Sequence, residues 1–470
     1  MTVMIGFDDA MGASGVRLLR RLERAGFSAY FVGGCVRDAL LGRPVKDYDI
    51  ATSAKPGELL ALFPDAIPTG LQHGTVTIPF EGYAFETTTF RAESAYSDGR
   101  HPDEVTFLDD VEGDLERRDF TVNAMAADAE GRLVDPFGGR RDLEAKRLRA
   151  VGDPAARFSE DALRMLRFVR FAAEYGFVTD EPTWREARLG ASGLAAVAME
   201  RVYAELSRMI EGADPYRALR LLRDSELLRW TKERLRLPRT LGLPSPPAEA
   251  EEGASAAGAS GDPLRRLGHV SDPLARWALW FDAMALSPDD AALVCRALRT
   301  SNVFERELRD VLGLHGALRG APPEHARRAW ASGAIRFGEL ACRRWLSLAQ
   351  AVCGEPAYAW TALYAANGER WLDEMPAKTL KDLAIGGADA LEAAGERRGG
   401  PWLADLLAGL LLDAALGELP NERQALLSRV RERLPRYGRD AAGGNGGKPE
   451  GGSAGERTED AGGNGGEGKL

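Results

Sequence analysis

"YFVGGCVRDALLGRPVKDYDIAT" (residues 30–52) decides the fold of the first third of this chain. Tyr30, Phe31 and Val32 read as the buried end of a strand. Gly33 and Gly34 allow a tight turn and close backbone approach. The stretch from Cys35 then reads as a short helix that Gly42 ends. A Gly-Gly turn opening a helix offers unpaired N–H groups that suit a phosphate, and Arg37, one turn in, reaches the same anion. Strand-forming Val45, Tyr48 and Ile50 follow, interleaved with Asp47 and Asp49. Alternate side chains of a strand share a face, so Asp47 and Asp49 are expected side by side, with Tyr48 and Ile50 opposite. Adjacent carboxylates repel unless a cation sits between them. Mg²⁺ is the expected cation, because hard divalent ions take oxygen ligands and bridge carboxylates to substrate phosphates. A bare Asp-x-Asp is more often a solvated strand; the preceding Gly-Gly-x-x-Arg is what favours a metal.

The sheet continues through "YAFETTTF" (83–90), where Glu86 stands on a strand as a third acidic group near the metals, an exposed strand carboxylate being the plain alternative. "AYSDGRHPDE" (95–104) is turn-rich, and Asp98, Gly99 and Arg100 mark it as a flexible loop that closes over a substrate, or as an ordinary surface loop. In "LERRDFTVNAMAAD" (115–128) Arg118 is placed to neutralise phosphate charge, Arg117 reads as structural, and Asp119 as a cap or an orienter of an arginine. From Arg140 to Arg170 nine basic residues face five acidic ones, in a chain whose net charge is −10. Beside a phosphate-transfer site such a stripe reads as a path for nucleic acid.

"FSEDALRMLRFVRFAAEYGF" (158–177) reads as a helix with Ser159 as N-cap, Phe158 and Leu163 as a hydrophobic staple, and Gly176 as its end. Asp161, Arg164, Arg167 and Arg170 recur every third residue and share a broad face. Asp161 beside Arg164 offers an acceptor next to a donor. Cytosine (N4 amino, N3) and adenine (N6 amino, N1) both complement that pair, whereas guanine and uracil present the reverse. A site built this way rejects mispairing strongly. Taken without its surroundings, the same pair would be a surface salt bridge of tenths of a kcal/mol.

The 470 residues suggest several domains. Beyond about residue 155 the pattern is almost wholly helical, so the fold class is an α/β head followed by an all-α remainder. The expected divisions are a head (1–150), a helical neck carrying the nucleotide helix (151–240), a low-complexity insertion (241–263), a helical body (264–335), a helical tail (336–437) and a disordered Gly-rich extension (438–470). Four scattered cysteines form no zinc or disulfide pattern and read as reduced thiols in a cytoplasmic protein. No apolar run suits a membrane span and no signal peptide is evident, so no membrane partner is expected.

In order, "GGCVRD", "DYDIAT", "FETTTFR", "DGRHPDEV", "RRDFTVNA", "DPFGG", "EDALRMLRFVRF" and "MERVYAEL" resemble the motifs of the class II tRNA nucleotidyltransferase and poly(A) polymerase family, densely over about residues 27–230 and more weakly to about 435. The resemblance implies a polymerase-β-type head with a small five-stranded sheet, then helical neck, body and tail. It implies that Asp47 and Asp49 bind Mg²⁺, that Gly34, Arg37 and Arg118 contact a triphosphate, and that Asp161, Arg164, Arg167 and Arg170 form the nucleotide-binding helix. Glu200 and Arg201 would brace that helix. The implied substrates are tRNA, CTP and ATP, and the implied reaction is stepwise C, C and A addition without a nucleic-acid template. The intact loop at 94–105 favours full CCA addition over CC-only addition; A-only addition, poly(A) synthesis, nucleotidyl transfer to a small molecule and a silent tRNA-binding protein are the rivals. Apart from His101 in "DGRHPDEV", no histidine stands in these motifs, and no separate protein base is expected. The sequence leaves the oligomeric state open, a homodimer included.

Overall fold

The computed structural model describes residues 4–94, 104–244, 261–396 and 398–440. The expected loop residues Asp98, Gly99 and Arg100, most of the insertion and the extension beyond residue 440 lie outside the described residues. The chain falls into two compact units, Met1–Glu374 and Met375–Leu470.

The first unit opens with helix α1 (Ala10–Arg24), capped by Asp9, whose carboxylate accepts from the Gly12 N–H at 2.9 Å. Leu18, Leu19 and Leu22 bury its inner face. The chain then runs through β1 (Ala29–Val32), α2 (Gly34–Leu40), β2 (Ile50–Thr52), α3 (Pro56–Leu62), β3 (Ile67–Gly70), β4 (Thr75–Phe80) and β5 (Tyr83–Thr89). A hairpin, β6 (Arg91–Ser94) with β7 (Glu104–Phe107), leads to α4 (Val111–Glu116) and the two-residue strands β8 (Ala126–Ala127) and β9 (Leu133–Val134). Seven strands form one mixed sheet in the order β3-β4-β5-β2-β1-β8-β9, with β2 parallel to β5 and antiparallel to β1. The implied five-stranded sheet is thus extended by β8 and β9, because the short apolar run Ala124–Ala127 lies along β1. β5 alternates as its sequence demands: Phe85, Thr87 and Thr89 point inward, Ala84 and Glu86 outward.

The chain continues through α5 (Gly139–Glu144), α6 (Pro154–Glu160), α7 (Leu163–Glu174), α8 (Glu181–Leu189), α9 (Met199–Glu211) and α10 (Pro215–Ser225). Here one expectation fails. Ser159 is not an N-cap; it lies inside α6, which Asp153 caps and Pro154 starts, and its hydroxyl donates to the Ala156 carbonyl at 2.8 Å. The helical run breaks at Asp161, which is extended (φ −145°, ψ 101°) and accepts from the Leu163 N–H at 3.1 Å. Asp161 therefore sits in a joint between two helices, not on the face of one.

Five further helices, α11 (Pro273–Ala283), α12 (Pro288–Ala297), α13 (Asn302–Arg319), α14 (Ala326–Phe337) and α15 (Glu339–Val352), enclose the buried indoles of Trp277, Trp280, Trp330 and Trp345. The Trp345 indole N–H donates to His315 Nδ1 at 3.0 Å, which puts the proton of a neutral ring on Nε2, 3.4 Å from Asp282. Asp282 also accepts from Arg319 at 2.8 Å and from the Tyr358 hydroxyl. Burial pushes its carboxyl up, but His315, Tyr358 and Arg319 outweigh that and hold it at about 2. A depressed carboxyl stabilises the fold above its unfolded pKa, and the effect is lost as pH falls through the folded one. Asp282→Asn is therefore expected to cost about 3 kcal/mol near neutral pH, and much less near pH 2. Urea unfolding at both pH values measures this; an equal cost at both would show that the loss is steric.

In the second unit, α16 (Gly387–Ala394), α17 (Pro401–Ala415) and α18 (Arg423–Asp440) pack together around Leu406, Leu410 and Leu426, with buried Asp413 paired to Arg433. Among the described residues no helix is long and apolar enough to cross a membrane.

Candidate active site

A polar cleft of about 580 Å³ opens in the first unit where α2, the segment before β2, the segment after α4 and helix α7 converge. Its floor is built by the opening motif. Gly33 has φ +73° and donates its N–H to the Met125 carbonyl at 3.2 Å. A Cβ there would stand 2.6 Å from an Arg118 terminal nitrogen, so glycine is needed both for the turn and for the arginine beside it. Arg37 is buried: it donates to Asn123 Oδ1 at 2.5 Å and to Asp38 at 3.0 Å, and stacks 4.4 Å from the Tyr175 ring centroid. The Cys35 thiol is pushed up to about 12 by burial and serves as an inert packing group.

Asp47 and Asp49 precede β2, which begins at Ile50, so they lie on the extended approach to the strand and not within it. The alternation still holds. Both aspartates are exposed to the cleft, while Tyr48 is buried against Phe7 and Phe31 and donates its hydroxyl to Asp9. Tyr48 is the pin that holds the two carboxylates on one side. The Asp49 carbonyl accepts from the Val32 N–H at 3.0 Å, which carries the β1 ladder one step further. Because Ile50 pairs with Thr87, the residues one step before each, Asp49 and Glu86, stand across the parallel pair. The Asp49 carboxyl is raised, first by the protein packed around the cleft floor and then by Glu86 and Asp47, with Arg118 opposing. Solvent reaches its oxygens, yet its ionised form lies in excess negative charge. A cation relieves that excess. Glu86 contributes to the field but does not line the cleft. Among the described residues no three His, Cys, Asp or Glu side chains form a closed metal cage. The two aspartates fit an open site for a hard cation, whose remaining ligands would come from substrate and water.

The opposite wall is cationic. Arg118 pairs with Asp114 at 3.2 Å and keeps a buried Nε–H without a partner. Arg164 donates to Glu160 at 2.5 Å and to the carbonyls of Arg157 and Arg117 at 3.1 and 2.9 Å, which leaves two of its five N–H groups. Asp161 is held by Arg201 at 2.7 Å, so Asp161 and Arg164 share the cleft without pairing to each other. Arg167 donates to Asp119 at 2.8 Å. Burial would raise the Asp119 carboxyl, but Arg167 and the Asn123 amide hold it at about 2. Arg170 bonds Glu205 at 2.6 Å and Glu174 at 2.9 Å. Gly34 lines the floor beside Arg37.

One cleft thus gathers every expected site residue among the described ones except Glu86. Sequence reasoning passed over Asn123, which joins Arg37 to Asp119, with its amide donating to the latter at 3.0 Å. The available signal was a lone amide in the run "FTVNAMAA" (120–127), whose only other polar residue is Thr121. Glu205, 2% exposed on α9, was also missed; its signal was a carboxylate on a helix face otherwise filled by Val202, Leu206 and Met209.

A family model described as "Poly A polymerase head domain" matches residues 29–149, one for the "RNA and SrmB-binding site of polymerase A" matches 176–234, and one for "tRNA nucleotidyltransferase domain 2" matches 269–430. A CCA-adding enzyme of Geobacillus thermodenitrificans is 36% identical over 441 residues, 91% of this chain and 97% of that protein. This chain belongs to the CCA-adding enzyme family. The CCA-adding enzyme of Geobacillus stearothermophilus is 35% identical over 91% of this chain and 97% of its own length. The Bacillus stearothermophilus CCA-adding enzyme, solved in complex with CTP, superposes with a TM-score of 0.72 at 32% identity, over 92% of this chain and all of that one. The Thermotoga maritima CCA-adding enzyme, complexed with tRNA, shares the fold at a TM-score of 0.60 and 19% identity, over 91% of this chain and 96% of that one. The chain is accordingly a nucleotidyltransferase, with the mixed-sheet head and helical remainder of its family.

Proposed function

We propose that this enzyme adds C, C and A in turn to the 3′ end of tRNA, using CTP twice and ATP once. The observation that carries the reading is a single cleft with an acidic pair on its floor and an arginine-lined helix as its wall. The attacking tRNA 3′-hydroxyl forms a bond to the α-phosphorus, and the α–β bridging oxygen leaves with pyrophosphate. Asp47 and Asp49 would hold Mg²⁺, which when bound supplies a Lewis acid at the α-phosphate and lowers the pKa of the attacking hydroxyl. Arg118 and Arg37 face the triphosphate; their fixed positive charge offsets the charge that develops on the leaving group. Asp161 and Arg164 would read the amino and ring-nitrogen edge shared by cytosine and adenine, with Arg201 fixing Asp161. We read residues 1–150 as the catalytic head, 151–240 as the selecting neck and 264–437 as the RNA-holding body and tail, in the cytoplasm.

The test uses a tRNA transcript that ends at the discriminator base, with Mg²⁺ and CTP, ATP or both. Two additions with CTP and a third only with ATP present are expected on a sequencing gel. Arrest after two would make this a CC-adding enzyme, addition of A alone to a CC-ended transcript an A-adding one, and a long ladder with ATP alone a poly(A) polymerase.

A further inference from the structure

The segment that carries Asp47 and Asp49 has little backbone support. The Arg43 N–H donates to the Asp38 carbonyl at 2.9 Å, and the Asp49 carbonyl accepts from Val32 at 3.0 Å. Between them, residues 44–48 make no backbone hydrogen bond with a described residue. What fixes the segment is a side chain. Tyr48 is 2% exposed, its ring centroid 5.1 Å from that of Phe31 and 5.9 Å from that of Phe7. The third wall of its slot is helix α1. A Cβ on Gly12 would stand 2.6 Å from the Tyr48 hydroxyl oxygen, so only glycine in this first turn lets the phenol lie beneath the helix. Gly15, one turn on, gives the same room to the Phe31 ring, which a Cβ would meet at 2.7 Å.

The phenol ends at Asp9. One carboxylate oxygen of Asp9 caps α1 through the Gly12 N–H at 2.9 Å, and the other accepts from the Tyr48 hydroxyl. Burial raises the Asp9 carboxyl, but the Tyr48 hydroxyl and the N–H groups of Gly12 and Met11 outweigh it and hold the group below its ordinary value. Asp9 is therefore an ionised, two-handed acceptor at neutral pH. The chain before it is anchored as well. The Ile5 N–H donates to the Gly131 carbonyl at 2.9 Å, and the buried Phe7 ring lies 4.6 Å from that of Phe31. A helix cap needs one acceptor oxygen. The second oxygen of Asp9 ties the start of α1 to the residue that stands between the two cleft aspartates.

We propose that Asp9 is a positioning residue for the reaction: its carboxylate, shared between the α1 cap and the Tyr48 hydroxyl, is a latch that sets where Asp47 and Asp49 stand and so how tightly they take a divalent cation. The inference rests on the acidic pair holding that cation. Asp9 does not line the cleft, so it acts only through Tyr48.

The experiment compares the full-length wild type with Y48F, which keeps the ring and removes the hydroxyl, with D9S, whose one side-chain oxygen still caps α1, and with D9S/Y48F. Mn²⁺ binding is read by EPR of the free ion, and the part lost in D49N counts as binding at the acidic pair. CTP incorporation into a tRNA transcript is read across a MgCl₂ series. Each single variant is expected to raise the Mn²⁺ dissociation constant and the half-saturating MgCl₂ about tenfold, while kcat at saturating MgCl₂ stays near wild type. The double variant should be no worse than either single one, because both changes cut the same bond. Wild-type Mn²⁺ affinity in both single variants would overturn the latch, and so would losses that multiply in the double variant. A fall in kcat that saturating MgCl₂ does not restore would overturn it too, since misplaced ligands are overcome by more ion and a damaged head is not. Wild type whose Mn²⁺ affinity depends on the latch yet extends no transcript would leave the latch standing and sink the proposed function.

Discussion

Asp49→Asn is expected to abolish nucleotide addition, lowering kcat on the order of 10³-fold or more, while leaving the metal-free protein at least as stable as the wild type. The two halves of this expectation share one cause. Asp49 stands among Glu86, Asp47 and packed protein that together raise its carboxyl, with Arg118 as the only opposing influence among those that act on it most strongly. A carboxyl whose folded pKa is raised binds its proton more tightly in the folded state. Its ionised form therefore costs stability once the pH exceeds the unfolded value, and Asn removes that cost. The same crowding makes the site a cation trap, since a bound divalent ion relieves the repulsion and stabilises the folded state by mass action. Thermal melts with and without MgCl₂ separate the two roles. Wild type should gain thermal stability with Mg²⁺, and the variant should start no lower and gain little. A variant that melts well below wild type without metal would show Asp49 to be a structural carboxylate. Because a proton and the cation compete for this raised carboxyl, the fall of activity at acid pH should move to lower pH as MgCl₂ is increased.

The head was legible because its signals are local. Gly33 needs a positive φ and Gly42 has one, β5 alternates inward and outward, and a buried tyrosine between two aspartates forces both carboxylates to one side. None of these depends on knowing what lies across the fold. The neck was read less well for the opposite reason. Glu160, Asp161 and Ala162 are compatible with an unbroken helix, and the break at Asp161 is set by Arg201, forty residues away, which captures its side chain. Ser159 looked like a cap because Ser, Glu and Asp in sequence are ordinary helix-start residues. The true start lay at Asp153 and Pro154, an equally ordinary signal. Periodicity gave the shared face of Arg164, Arg167 and Arg170 correctly, but it could not show that Arg167 and Arg170 are held by carboxylates from distant segments, Asp119 and Glu205. Long-range ion pairs leave no trace in the spacing of one segment. That is also why Asn123 and Glu205 were missed.

That correction sharpens the second large effect. Were Asp161 and Arg164 merely a surface pair one turn apart, Asp161→Ala would cost tenths of a kcal/mol and change no specificity. In the structure Asp161 is presented by a helix break and oriented by two bonds from Arg201, at 3.2 and 2.7 Å. Two N–H groups of Arg164 stay unspent while its other donors are fixed. Such a pair is preorganised to meet a base edge, and its contribution is large because a mismatched base leaves buried polar groups unpaired. Asp161→Ala is therefore expected to lower kcat/KM for CTP and ATP about 10²-fold or more, and to narrow the discrimination against UTP by about the same factor. Single-nucleotide incorporation with each of the four triphosphates measures both. Arg201→Ala provides the control: it keeps the Asp161 carboxylate but frees it, so its selectivity should fall between wild type and Asp161→Ala. If both variants lose rate equally for all four nucleotides and keep the wild-type preference, the Asp161 carboxylate shapes the cleft without reading the base, and selectivity must come from other groups on its wall.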